Sequence, residues 1–130
     1  MTQEEKQLLL KDLCARLPYG VKVIYDDRAE TLLRISSNCY LYTESIVPIN
    51  IELIKPYLRP MSTMTEEEKA IMDKIWIEDN RLVFADPADI RAYRFYDVAI
   101  VDFLNSRHFD YRGLIEKGLA LEAPEGMYSI

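Results

Sequence analysis

The sequence predicts an α+β fold. An N-terminal helix and a small antiparallel β-meander, open or closed partway into a barrel, pack with a C-terminal group of helices. Three observations predict it. Leu9, Leu10, Leu13, Cys14 and Leu17 recur at helical spacing directly behind a Thr2-x-x-Glu5 start signal. Between Val21 and Tyr42, short β-branched and aromatic runs alternate with polar turns. Beyond Pro60 the pattern becomes helical and stays so almost to the end. At 130 residues the chain suits one domain, with a core large enough to need no metal or disulfide staple. Within it, residues 1–54 make a helix-plus-meander lobe, 55–64 a packed connector and 65–130 a mainly helical lobe.

Taken in order, the first helix closes at Pro18 and Gly20, where the helical ladder cannot continue. Val21-Lys22-Val23-Ile24-Tyr25 reads as a strand and Asp26 to Glu30 as a polar turn. Leu32 to Ile35 makes a second strand, Ser36-Ser37-Asn38 a tight turn and Cys39-Tyr40-Leu41-Tyr42 a third strand. Asn50 precedes a helical turn at 51–54. In Lys55-Pro56-Tyr57-Leu58-Arg59-Pro60 two prolines interrupt regular structure, while Tyr57, Leu58, Met61 and Met64 hold the connector against the body. Thr65 and Glu68 form a capping box for a helix expected to end near Ile77, with its acids favourably crowded into the first turn. Glu78-Asp79-Asn80 predicts a turn, Arg81-Leu82-Val83-Phe84 an edge strand, and Asp86-Pro87-Ala88-Asp89 a further helix start. That helix buries Tyr96, Ala99, Ile100, Phe103 and Leu104. Asp110 caps a last helix from Tyr111 to Lys117, Gly118 stops it, and the tail to Tyr128 is apolar enough to dock.

Most of the net charge of −6 falls on residues 65–102. Lys55 and Arg59 stand just upstream, placed to pair with those acids. A negative surface disfavours nucleic-acid phosphates and anionic membranes, and it suits a protein partner with a basic face. No apolar run approaches the roughly 20 residues that span a membrane. The stretch Met1-Thr2-Gln3-Glu4-Glu5 is acidic where a signal peptide is basic, so a cytoplasmic address is expected. In that setting Cys14 and Cys39 are expected to be free, buried thiols.

His108 is the one histidine, and the only side chain whose ordinary pKa lies near neutrality. Asp97 and Asp110 are near enough in sequence to orient it for acid–base work. Equally, a histidine at a helix C-terminus bonded to a loop carbonyl serves structure alone. One histidine and two separated cysteines make none of the usual zinc sets, and no acidic run has the alternation of a calcium loop. The four glycines are isolated, so no metal, phosphate-binding loop or cofactor is implied. The nine tyrosines are the more unusual feature. Tyr25, Tyr40 and Tyr42 of the meander are candidate contact residues, because tyrosine offers large area with a polar tip. With basic neighbours the same rings could stack the bases of a single strand. Glu66, Glu67 and Asp73 are the acidic candidates for contact with a basic partner.

Two segments carry a resemblance. One is Lys55-Pro56-Tyr57-Leu58-Arg59-Pro60-Met61-Ser62-Thr63-Met64-Thr65-Glu66-Glu67-Glu68. The other runs Asp102-Phe103-Leu104-Asn105-Ser106-Arg107-His108-Phe109-Asp110-Tyr111-Arg112-Gly113-Leu114-Ile115-Glu116-Lys117-Gly118-Leu119-Ala120 and continues to Pro124-Glu125-Gly126-Met127-Tyr128. Together they resemble a family of small uncharacterised proteins of gut bacteria, often associated with prophage or other mobile-element regions. The strands between Val21 and Thr43 match only in general character. The resemblance implies a bacterial cytoplasmic setting and no assigned activity, cofactor or catalytic residue. The expected function is a small non-catalytic protein-interaction module. Its alternatives are a small enzyme using His108 with a carboxylate, and a single-strand nucleic-acid binder through a tyrosine-bearing sheet.

Overall fold

Thr2 and Glu5 close their capping box, each side chain accepting the other's amide, and α1 (Gln3–Arg16) starts there. A 3₁₀ turn, Leu17–Tyr19, ends at Gly20 with φ 70, a left-handed conformation that glycine adopts without a Cβ clash. β1 (Lys22–Tyr25) and β2 (Arg28–Thr31) form a hairpin whose turn residues Asp26 and Asp27 have φ 51 and 58. Two successive positive values are those of the tight turn whose twist matches paired strands, and Asp tolerates them better than most residues. In this computed structural model the backbone is described for residues 1–83 and 90–128, and the side chains for 1–75 and 98–128.

β1 pairs on its other side with β5 (Lys55–Leu58), antiparallel, and β6 (Leu121–Glu122) joins β5 in parallel, giving the order β2-β1-β5-β6. β3 (Arg34–Ile35) and β4 (Leu41–Tyr42) make a separate antiparallel ribbon, extended by a bridge from Leu41 to Ile49. α2 (Glu66–Val83) and α3 (Ile90–Ser106) are the remaining helices of the described residues. The architecture is α+β with an open, mixed sheet, so the sheet is not a closed barrel.

Several elements depart from the sequence expectation, each for a local reason. The single meander is two units, because the Asp26–Asp27 turn feeds β2 directly and the chain breaks at Leu32, which enters the core, and Leu33, which faces out. The connector contains β5. Pro56 fits there because the sheet is staggered: β1 pairs with Lys55 and Pro56, whereas β6 pairs with Tyr57 and Leu58. The missing amide therefore interrupts no ladder on the β6 side. α2 runs through Glu78–Asp79–Asn80 to Val83, replacing the expected turn and strand; Phe84 and the Asp86–Asp89 helix start lie outside the described residues. Tyr111–Lys117 is a compact turn and not a helix. Gly113 has φ 72, and the Asp110 carboxylate accepts the amides of Leu114 (2.8 Å) and Ile115 (3.0 Å) beyond it. Cys14 and Cys39 are free as expected but exposed, the first on the flank of α1 and the second in the ribbon turn.

The main core lies between α1 and the strands. Leu9 and Leu13 meet Val21, Val23, Leu41, Ile54 and Leu58. Fully burying an aliphatic side chain of this kind contributes about 1.5–3 kcal/mol. A second cluster gathers Phe103, Leu104 and Phe109 beneath Met64, Met72 and Ile75. Charged side chains tie the parts together. Arg16 Nε donates to Asp12 Oδ2 (2.9 Å), Arg112 Nη1 donates to Asp12 Oδ1 (2.7 Å), and Arg16 Nη2 donates to the Phe109 carbonyl. At the exit of β5, Arg59 donates through both terminal nitrogens to Glu68, each at 2.7 Å. Glu68 also closes the capping box with Thr65.

Replacing Arg59 by Met takes from Glu68, 2% exposed, its two-pronged partner and leaves it only the more distant Arg107, 4.0 Å away. Unfolding free energy should fall by about 3 kcal/mol, whereas Lys55→Met at an exposed position should change it by less than about 0.5 kcal/mol. Denaturant titration of the two variants measures the contrast, and equal losses would contradict the assignment.

Candidate functional site

His108 is positioned by the end of α3. Its amide donates to the Asn105 carbonyl, and φ 61 then turns the chain out of the helix. The Arg59 amide donates to the His108 carbonyl and the Asp110 amide to the Arg59 carbonyl, both at 2.8 Å, so residues 108–110 run beside the exit of β5. The imidazole is 4% exposed. Tyr128 of the tail stacks on it with centroids 3.9 Å apart and planes 20° apart. That tyrosine is itself pinned, its hydroxyl accepting the Lys22 amide (2.8 Å) and donating to the Tyr57 carbonyl (2.7 Å).

Burial and the charges of Arg16 and Arg59 lower the His108 pKa to about 4, against a hydrogen bond to the Tyr19 carbonyl that raises it. The ring is neutral at pH 7. Nδ1 is buried and has no hydrogen-bond partner among the described residues. Burial also pushes the Tyr128 phenol up to about 12.

A shallow depression beside the ring is lined by Tyr19, Lys22, Ser106, Arg107 and Tyr128, with no carboxylate among its walls. Lys22 Nζ turns to Thr31 Oγ1 (3.1 Å), and Arg107 Nη1 lies 4.0 Å from Glu68. Asp110 faces the amides of Leu114 and Ile115, and the side chain of Asp97 lies outside the described residues. General acid–base work needs a ring nitrogen within reach of a substrate and a group that orients the ring. Among the described residues His108 lies just past the end of α3, buried under Tyr128, and no carboxylate lines the depression beside it.

The tyrosine candidates do not share one platform. Tyr25 is half-buried on β1 against the core, Tyr40 is exposed in the ribbon turn, and Tyr42 is half-buried under the Arg34 guanidinium at 4.1 Å. Glu66, Glu67 and Asp73 are exposed along the first half of α2, with Lys69 Nζ 3.3 Å from Glu66. Among the described residues no group of His, Cys, Asp and Glu is arranged to hold a metal ion. No helix of the described residues is long and apolar enough to cross a membrane.

One candidate surface was not anticipated from sequence. Glu30, buried on β2, accepts hydrogen bonds from Thr43 Oγ1 (3.0 Å) and Ser45 Oγ (2.7 Å). Glu44 Oε1 accepts the Thr31 amide at 2.9 Å. These contacts anchor a loop in which Ile46 has φ 58 and stands 81% exposed. A β-branched residue in the left-handed region is an outlier, with a cost of about 1–2 kcal/mol. Val47, Leu33 and Tyr40 are exposed as well. The signal available in sequence is the apolar pair Ile46–Val47 set between Thr43-Glu44-Ser45 and Pro48; nothing in it reveals the backbone angle. No protein-family model, curated protein or solved structure matches this chain.

The buried histidine makes stability pH-dependent. Its folded pKa of about 4 lies below the ordinary 6.5, so the unfolded chain binds more protons between those values. Stability is full above pH 6.5 and falls by about 3 kcal/mol as pH drops to 4. Glu68, held near 2 by Arg59, adds a second loss below its ordinary 4.5. A His108→Asn variant, whose side chain tolerates positive φ and does not titrate, should lose the first decline and keep the second. Denaturation across pH 2–8 measures both.

Proposed function

We propose that this chain is a small non-catalytic protein-interaction module that meets its partner through the Glu44–Val47 loop and the adjoining β3–β4 ribbon. Ile46 carries the reading. Backbone strain and an exposed large aliphatic side chain are both unfavourable in the free protein, yet the hydroxyls of Thr43 and Ser45 and the buried carboxylate of Glu30 hold the loop in that form. Outliers of this kind concentrate where a chain meets something else. Burying Ile46 in a partner's pocket contributes about 1.5–3 kcal/mol, and its rigid presentation lowers the entropy lost on binding. The sequestered, neutral His108 supports a non-catalytic role. The exposed acids Glu66, Glu67 and Asp73 favour a partner with a basic face. A cytoplasmic setting on a bacterial prophage or mobile element rests on the resemblance of the 55–68 and 102–128 segments.

Ile46→Gly separates binding from folding. Glycine relieves the strain and removes the apolar side chain, so stability should stay within about 1 kcal/mol of the parent. Partner recovery by the tagged protein from bacterial lysate at modest salt should be lost. Recovery of the same proteins by both forms, or of none by the parent, would contradict the reading.

A further inference from the structure

The β1–β5 ladder runs Ile24 with Lys55 and Val23 with Pro56, and one more step of that register sets Lys22 opposite Tyr57. At that step a side chain enters the ladder. The Lys22 amide donates to the Tyr128 hydroxyl at 2.8 Å, and the hydroxyl donates to the Tyr57 carbonyl at 2.7 Å. The phenol thus stands between two strands, its oxygen matched by one backbone donor and one backbone acceptor, its face on the His108 ring at 3.9 Å. The segment that carries it is lightly held. The Ala123 amide donates to the Leu58 carbonyl at 2.7 Å, but beyond it, among the described residues, Pro124–Met127 hydrogen-bond only to one another, the Met127 amide to the Pro124 carbonyl. Pro124, Glu125 and Gly126 are exposed. Tyr128 is therefore the peg of a strap. It is also the wall shared by two surface depressions, one lined by Tyr19 and Ser106 and the other by Pro60 and Thr63.

We propose that the slot filled by Tyr128 is a binding site for a small phenol, which enters when the 124–127 strap swings out, with Tyr128 as the resident competitor. The slot reads a hydroxyl, because an apolar ring of the same shape leaves the Lys22 amide and the Tyr57 carbonyl unpaired inside the fold. The imidazole supplies a flat face for the ring, and stacking of this kind adds to its burial. The two depressions give a substituted ring access and room on either side of the slot. Few contacts and an exposed backbone put the strap among the segments that open locally while the rest of the fold stays closed. Release of the peg leaves the main core, between α1 and the strands, untouched. This inference stands independently of the interaction reading.

Tyr128→Ala in the full-length chain empties the slot, and p-cresol is the probe. It should raise the urea midpoint of the variant saturably and shift the NMR ring signals of the one histidine. Toluene, which lacks the hydroxyl, should bind about tenfold more weakly, the worth of the two hydrogen bonds it cannot make. In the parent, p-cresol should speed cleavage after Glu125 by a glutamate-specific protease, because it holds the strap out, and toluene should not. That arm decides alone if the variant does not fold. Equal effects of the two probes, histidine signals that p-cresol leaves unmoved, or parent cleavage indifferent to p-cresol would overturn the proposal. The first two results would mean that β1 and β5 close directly on each other once the phenol is gone.

Discussion

A buried guanidinium needs counter-charge and hydrogen bonds, and Arg16 imposes that requirement on the whole fold. It sits with Asp12 on the inner face of α1, in line with Leu9 and Leu13, and all four are buried. Asp12 answers two cations, one from its own helix and one from Arg112, about a hundred residues away along the chain. Arg16 also takes the Phe109 carbonyl. Arg59 lies over the Phe109 ring at 4.2 Å, and Arg112 over Tyr111 at 4.7 Å. The 107–112 segment is thus fixed from both sides, by α1 and by the exit of β5. An isolated buried charge is costly enough that such a group must be paired or the structure yields.

The remaining long-range contacts follow from that crossing. Once residues 108–110 run beside Arg59, α3 is anchored at its C-terminal end and His108 is delivered into the interior near two cations. Burial first, and those cations after it, keep the ring neutral. The chain then returns through β6, and Tyr128 closes over the imidazole while bonding the backbones of β1 and β5. The imidazole is therefore buried under Tyr128 and neutral at pH 7.

Short-range signals were legible in the sequence. Both capping boxes form as the Thr2–Glu5 and Thr65–Glu68 spacings require, Gly20 takes the left-handed position after the first helix, and the tail docks. Arg59 pairs with an acid of α2, as its position suggested. Non-local features were not legible. β6 joins β5 in parallel across more than sixty residues of sequence, and a two-residue strand has no periodicity to detect. Pro56 argued against a strand, and only the stagger of the sheet makes it acceptable. The cysteines looked like apolar residues on a helix and a strand, but the inner face of α1 is set by Leu9, Asp12, Leu13 and Arg16, which turns Cys14 outward. The 9-12-13-16 spacing was present in the sequence. What hid it was the charge on two of its members. At the candidate surface, residue types gave no warning of a positive φ at Ile46, in a loop that is held through Thr43 and Ser45 by the distant Glu30.

The central claim is that the Asp12 carboxylate holds two guanidiniums and through them the 107–112 crossing. Equilibrium unfolding of Asp12→Asn tests it most directly, because the change keeps size while removing the charge and turning one of the two accepting oxygens into a donor. Two buried or half-buried cations left without a counter-ion should lower the unfolding free energy by about 3–5 kcal/mol. A loss within about 0.5 kcal/mol of zero would contradict the claim and leave the fold to its apolar contacts alone.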